Sequence, residues 1–210
     1  MEPGGTCFCG STGTGPAVSE EYDLAYARLG GRVVFKVGSR KGLELVEELG
    51  LPRASESVLK EYREAIDRAR KLASRIPVVE SFSKILEESA TKEELWKEVS
   101  ARCVGCANCN MVCPTCFCTE FIDSADLSGR GKRERLWFGC LSYTYGQVAG
   151  LHYRPELFMR YRHFVLHKFV FYQKQVGLAG CVGCGRCVTW CPVGVDLRET
   201  VQKVMNHVGR

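Results

Sequence analysis

The sequence predicts a mainly helical protein with a small β-containing segment at its N-terminal end. Three observations carry that expectation. Amphipathic patterns of helical period fill most of the chain after residue 53. One glycine-bounded run of β-branched and aromatic residues, GRVVFKVG at 31–38, stands before them. Two cysteine loops of one pattern each follow a predicted helix. The expected domains are 1–53, a β-containing remnant of a larger domain, and 54–210, helical, with cysteine loops at 102–118 and 180–195 and a helical insertion at 128–178.

The elements follow in order. GRVVFKVG reads as a strand, and DLAYARLGG before it supplies a partner strand or a short helix, since periodicity does not decide between them. KGLELVEEL at 41–49 reads as a short helix stopped by Gly50 and Pro52. From Ser55 the texture changes: Val58, Tyr62, Ala65, Ile66, Ala69 and Leu72 fall at helical spacing between charges, and Pro77 ends the run. SFSKILEES predicts a second helix of this domain. A third opens at Thr91, where TKEE matches a capping box ahead of Leu95, Trp96 and Val99, and it leads into Cys103. Residues 128–140 are expected to be a basic loop, 155–177 a long helix leading into Cys181, and 196–208 a closing helix.

Composition narrows the class. With 45% hydrophobic and 25% charged residues, the 210-residue chain is globular in type, and it contains no apolar run near the roughly 18–20 residues of a membrane span. The start, MEPGGTCFCG, has neither the basic nor the apolar region of a secretory signal, so a cytoplasmic protein is expected. Thirteen cysteines, an odd number, without an export signal argue for metal ligation rather than disulfides.

CVGCANCNMVCP, from Cys103 to Pro114, and CVGCGRCVTWCP, from Cys181 to Pro192, are both C-x2-C-x2-C-x3-C-P. In two-cluster ferredoxins three cysteines of such a loop hold one [4Fe–4S] cluster and the fourth serves the other cluster. Cluster I therefore takes Cys103, Cys106, Cys109 and Cys191, and cluster II takes Cys181, Cys184, Cys187 and Cys113. Gly105, Gly183 and Gly185 let the backbone approach the sulfurs. Zinc ribbons use two separated CxxC knuckles instead of three cysteines in series, so iron–sulfur ligation is the better reading. The 67 residues between Cys113 and Cys181, with a helix before each loop, favour an α-helical ferredoxin-type dicluster domain. Each ligated core carries about −2, so two clusters bring the formal charge of +5 to about +1. A polyanionic partner is not required.

Five cysteines remain: Cys7, Cys9, Cys116, Cys118 and Cys140. Two C-F-C pairs, TCFCGS and TCFCTE, project both thiols to one side if extended. Four of the five suffice for a third iron–sulfur cluster; the bland alternative is that they are buried small hydrophobes. Arg102 and Arg186, beside cluster cysteines, are candidates for tuning cluster potentials.

TCFCGSTGTGP with the following YDL, VGSRKG, LWKEVSARC, CPTCFC, LWFGC, HYRPELFMRYRHFVLHKF and CVGCGRC…CPVGVD occur in this order. Together they resemble the iron–sulfur β subunit of cytoplasmic nickel–iron sulfhydrogenases and the related A subunit of anaerobic sulfite reductase. The resemblance implies an electron-transfer subunit in a hetero-oligomer, between a flavin- and NAD(P)H-binding or ferredoxin-linked subunit and a hydrogenase or reductase catalytic subunit. Members of this family carry another large domain before the CFCGSTGTGP-like segment, so the chain corresponds to their carboxy-terminal part.

Other motifs carry less. GSTGTGP at 10–16 lacks the Gly-Lys-Ser/Thr of a phosphate loop and reads as a turn. No dinucleotide fingerprint follows a predicted strand, and no hydrolytic residue set is present. In RYRHFVLHKFVFYQ the aromatics fall on a helical core face, and Arg160, Arg162, His163, His167 and Lys168 suit anionic clusters better than nucleic acid. His163 and His167 lack a third ligand. The function expected is relay of single electrons without bond chemistry. The rival is a catalytic iron–sulfur subunit binding a sulfur substrate at a third cluster, and a nucleic-acid enzyme with a structural cluster is the least favoured.

Overall fold

The computed structural model describes residues 2–76 and 82–208. Among these residues helix outweighs strand, 44% to 15%, and the strands form three separate two-stranded ribbons, so the described structure is mainly helical with small sheets. It divides into two compact units. One comprises the described residues up to 76 together with Val182–Cys184; the other holds the remaining described residues from 82 onward.

In the first unit, DLAYARLGG resolves as a strand. Leu24–Leu29 pairs antiparallel with Arg32–Val37, and Leu29 sits opposite Arg32. The turn between them is Gly30–Gly31, with φ of 48° and 77°. Two left-handed residues make the tight turn whose twist suits a hairpin, and glycine adopts them without strain. Helix Arg40–Glu48 starts on Ser39, whose hydroxyl accepts from Gly42 N at 3.3 Å.

Helix Glu56–Ala73 buries Ala65, Ile66, Ala69 and Ala73. Leu72, expected on that stripe, is exposed, and the face is completed by Ala73 instead. The helix groups with the N-terminal segment, whereas the sequence division at 53–54 placed it with the cysteine loops. Small alanines let it pack closely against the one-turn helix Cys9–Thr12, and Ile76 N donates to Ser11 Oγ at 2.8 Å. The stop expected at Pro77, and Ser81 of SFSKILEES, lie outside the described residues.

In the second unit, helix Phe82–Glu88 runs into a tight turn at Ser89–Thr91, and helix Glu93–Ser100 follows. The capping box expected at Thr91 does not form. Thr91 is taken into the preceding turn, and Lys92 occupies the N-cap with no side-chain cap bond. Tertiary packing fixes this helix instead: Trp96 is fully buried and its Nε1 donates to Ser89 O at 2.7 Å.

The segment expected as a basic loop, and as the start of a helical insertion, is β structure. Thr119–Ala125 pairs with Gly131–Trp137, and a shorter ribbon joins Gln147–Val148 to Leu151–His152. Asp126 closes the first turn by accepting from Ser128 N at 2.9 Å and Arg130 N at 3.0 Å. Across the ribbon, Arg133 Nε and Nη2 each lie 2.6 Å from an Asp123 carboxylate oxygen.

The long helix runs over residues 157–176 in three parts: Leu157–Leu166, a π-helical turn His167–Phe171, and Tyr172–Val176, ended by left-handed Gly177. Its buried face contains Phe158, Tyr161, Phe164, Val165 and Val170. The closing helix Leu197–Val208 buries Leu197, Val201 and Val204 and packs on Phe82–Glu88.

Replacing Trp96 with alanine removes a fully buried indole and its bond to Ser89. The expected cost is about 3–5 kcal/mol, read as a lower unfolding midpoint of the metal-loaded chain. An unchanged midpoint would show that the helix entering Cys103 does not depend on this anchor.

Candidate metal centres

The two cysteine loops follow one backbone path, repeated 78 residues apart. Each passes twice through left-handed conformation, at Gly105 (φ 68°) and Ala107 (φ 58°) in the first loop and at Gly183 (φ 62°) and Gly185 (φ 74°) in the second. Each then makes a single helical turn, Asn108–Met111 or Arg186–Thr189. Equivalent bonds close both copies: Cys113 N to Asn110 O at 3.3 Å, and Cys191 N to Val188 O at 3.4 Å. The two short helices touch, and Asn108 Nδ2 donates to Trp190 O at 2.5 Å.

Cys103, Cys106, Cys109 and Cys191 line one cavity, so the loops bring together the four cysteines that the sequence assigns to cluster I. Leu141, Tyr161, Phe164 and Leu197 form apolar walls, and Cys187 also faces this space. Burial raises the Cys103 and Cys109 thiols; at Cys103 the nearby Arg160 charge acts the other way. Val195 N donates to Cys191 Sγ at 3.2 Å. Arg160 is buried, donates through Nη1 to the carbonyls of Arg154 and Pro155 at 2.8 and 2.7 Å, and finds no hydrogen-bond partner at Nε among the described residues.

Among the described residues, the structure does not gather the cluster II set around one cavity as it does the first set. Cys187 lines the first cavity, and Cys184 belongs to the other compact unit. Cys113 Sγ lies 3.2 Å from Thr115 Oγ1 and 3.0 Å from Lys168 Nζ. Its pKa is held down to about 4, first by a hydrogen bond with Cys116 and then by the Lys168 charge, outweighing burial; the Cys116 thiol is pushed up in turn.

Three of the surplus cysteines, Cys116, Cys118 and Cys140, line a second cavity with Asn110, His167 and Lys168. Asn110 Nδ2 donates to Cys140 Sγ at 3.3 Å and reaches Cys116 Sγ at 3.7 Å, while its Oδ1 accepts from Leu141 N at 3.3 Å. Burial pushes the Cys140 thiol up to about 11. Cys7 and Cys9 lie in the first unit. Their segment is not extended as expected: Cys9 begins a helical turn, and the two sulfurs are 3.4 Å apart. Phe8 between them is fully buried and donates from its N–H to Gly183 O at 2.7 Å. In GSTGTGP, Thr14 Oγ1 donates to Val182 O at 2.9 Å, which fits a packed turn.

Arg102 and Arg186 are exposed, and Arg102 Nη2 lies 3.6 Å from Glu199 Oε2. His163 and His167 stack at 5.5 Å between centroids, and Tyr145 Oη bonds His163 Nε2 at 2.8 Å, so the pair has polar and ring partners without a metal. Asn110 escaped the sequence reading; its only signal there is a place inside the motif. Among the described residues, no three His, Cys, Asp or Glu side chains converge on a point that would hold a single ion.

Residues 102–195 match a family described as a 4Fe-4S dicluster domain. The chain is 33% identical over 201 residues to Sulfhydrogenase 2 subunit beta of Pyrococcus furiosus, covering 94% of this chain and 59% of that protein. The chain thus spans less than two thirds of that relative's length. No solved structure matches it. Residues 102–195 thus carry the signature of a 4Fe-4S dicluster domain, and the chain is similar to the sulfhydrogenase β subunit. The cysteines lining the first cavity are donors of the kind that suits an iron–sulfur cluster.

The repeat makes Ala107 and Gly185 equivalent, both left-handed. Ala107→Gly should stabilise the loaded chain by about 0.5–1 kcal/mol, and Gly185→Ala should cost about 1–2 kcal/mol. Shifts of the same sign in thermal unfolding would contradict the shared path.

Proposed function

We propose that this chain is an electron-relay subunit of a redox complex, passing single electrons between a flavin- and NAD(P)H-binding or ferredoxin-linked subunit and a hydrogenase or sulfur-compound reductase subunit. The observation that carries the reading is the meeting of Cys103, Cys106 and Cys109 of one loop with Cys191 of the other around a single cavity. The repeat assigns Cys181, Cys184, Cys187 and Cys113 to the second cluster. Cys116, Cys118 and Cys140 would hold most of a third. The relationship to a sulfhydrogenase β subunit supports a hetero-oligomeric setting. Among the described residues no helix is long and apolar enough to cross a membrane, in keeping with a cytoplasmic complex.

When bound, iron–sulfur clusters supply one-electron chemistry at potentials set by their surroundings. The protein's part is to hold and screen. Leu141, Tyr161 and Phe164 exclude water from the first cavity, and N–H donors such as Val195 relieve charge on ligand sulfur. Cys103, Cys109 and Cys140 are raised by burial, so metal loading at neutral pH releases their protons.

The anaerobically purified protein is expected to contain about twelve irons per chain and to lose about four in a Cys116→Ser/Cys118→Ser variant. Iron near eight, unchanged in that variant, would remove the third cluster. Hydrogen- or sulfur-linked activity should require the other subunits; substrate-perturbed EPR of the chain alone would favour the catalytic alternative.

A further inference from the structure

Lys168 is the second residue of the π-helical turn His167–Phe171, a local widening of the helix often found at functional sites. It is only 6% exposed. Its Nζ lies 3.0 Å from Cys113 Sγ, 3.3 Å from Cys116 Sγ and 3.4 Å from Thr115 Oγ1, and 5.2 Å from the centre of the Phe164 ring. An ammonium has three N–H donors, and three acceptors surround this one. A buried ammonium without anionic partners costs several kcal/mol, so the site is built for negative sulfur on both sides.

Cys113 and Cys116 have different destinations. The repeated motif gives Cys113 to cluster II, while Cys116 lines the cavity of Cys118 and Cys140. Building on the three-centre reading above, we propose that Lys168 is a shared positioning cation that raises the reduction potentials of cluster II and the third centre together. An electron arriving at either centre adds negative charge beside the same ammonium, which favours the reduced form of each. The Cys113 Sγ–Nζ–Cys116 Sγ bridge also provides a short hydrogen-bonded connection between the two ligand sulfurs.

Asn110 gives an internal contrast. It is buried and uncharged, and its amide bonds Cys116 and Cys140, both on the third-centre side. Its removal should move one potential, whereas loss of Lys168 should move two. Arg102 and Arg186, exposed to water, should have much smaller effects because solvent screens them.

The test is an anaerobic EPR-monitored redox titration of the full, iron-loaded chain, with iron counted in every sample. Lys168→Gln should keep the wild-type iron content and lower two potentials. Each oxidised-to-reduced equilibrium should shift about tenfold, which is about 59 mV for one electron. Lys168→Arg, which keeps the charge, should recover most of both shifts. Asn110→Ala should displace one signal only. A single shifted potential, no shift, or an arginine variant as displaced as the glutamine variant would overturn the proposal while leaving three centres intact. Wild-type iron near eight per chain removes the third centre, and the shared cation with it. If Lys168→Gln loses iron, the arginine variant decides: wild-type potentials support the shared cation, and displaced ones reject it.

Discussion

Sulfur must face inward at successive corners of a tight loop, and a chain of L-residues achieves this only by passing through left-handed backbone. The remainder of the cluster-bearing unit depends on that requirement. Gly105 and Ala107 satisfy it in the first loop, Gly183 and Gly185 in the second. Alanine at 107 carries a steric cost that glycine does not, so the first loop is the more strained copy. The helices entering and leaving the loops anchor them, with Trp96 ahead of Cys103 and Leu197, Val201 and Val204 behind Cys191.

Concentrating thiolates inside a protein raises a second problem, the disposal of negative charge. The formal charge of +5 suggests a basic surface, but part of it is interior. Arg160 and Lys168 are each 6% exposed and stand eight residues apart on the long helix, with Phe164 between them. Phe164 lines both cavities. This helical face therefore alternates cation, aromatic wall and cation along the row of cysteines. Burial opposes the Lys168 charge, yet the sulfurs of Cys113, Cys116 and Cys181 outweigh it, and the net effect is a more firmly held proton.

Legibility in the sequence followed how local each signal was. The existence and spacing of the two cysteine loops were legible because the motif repeats in full at 103–114 and 181–192. The long helix was readable from its apolar period. The hairpin at 119–137 was not: both of its faces are exposed, so the alternation that announces a half-buried strand is absent, and GRGKRERL reads only as basic. Its order comes instead from Asp126 in the turn and the Asp123–Arg133 pair across it. The sequence groups Arg160, Arg162, His163, His167 and Lys168 as bases suited to anionic clusters, but only packing distinguishes buried Arg160 and Lys168 from their half-buried neighbours.

The surplus cysteines mark where the repeat breaks its symmetry. With an offset of 78 residues, Cys116 corresponds to Gly194 and Cys118 to Asp196. The bond patterns still coincide at the first of these, with Cys116 N on Cys113 O at 3.4 Å and Gly194 N on Cys191 O at 3.3 Å. Beyond it they part. Asp196 accepts from Arg198 N at 2.8 Å and starts the closing helix, whose Thr200 N reaches Asp196 O at 3.0 Å. Cys118 instead offers its carbonyl to Phe138 N at 3.0 Å and opens the hairpin, which returns the chain to Cys140 at the same cavity. One backbone position thus begins a helix in one copy and directs a thiol into a second sulfur-lined space in the other. On the three-centre proposal, this hairpin is what returns Cys140 to Cys116 and Cys118, with the Asn110 amide held between two of them.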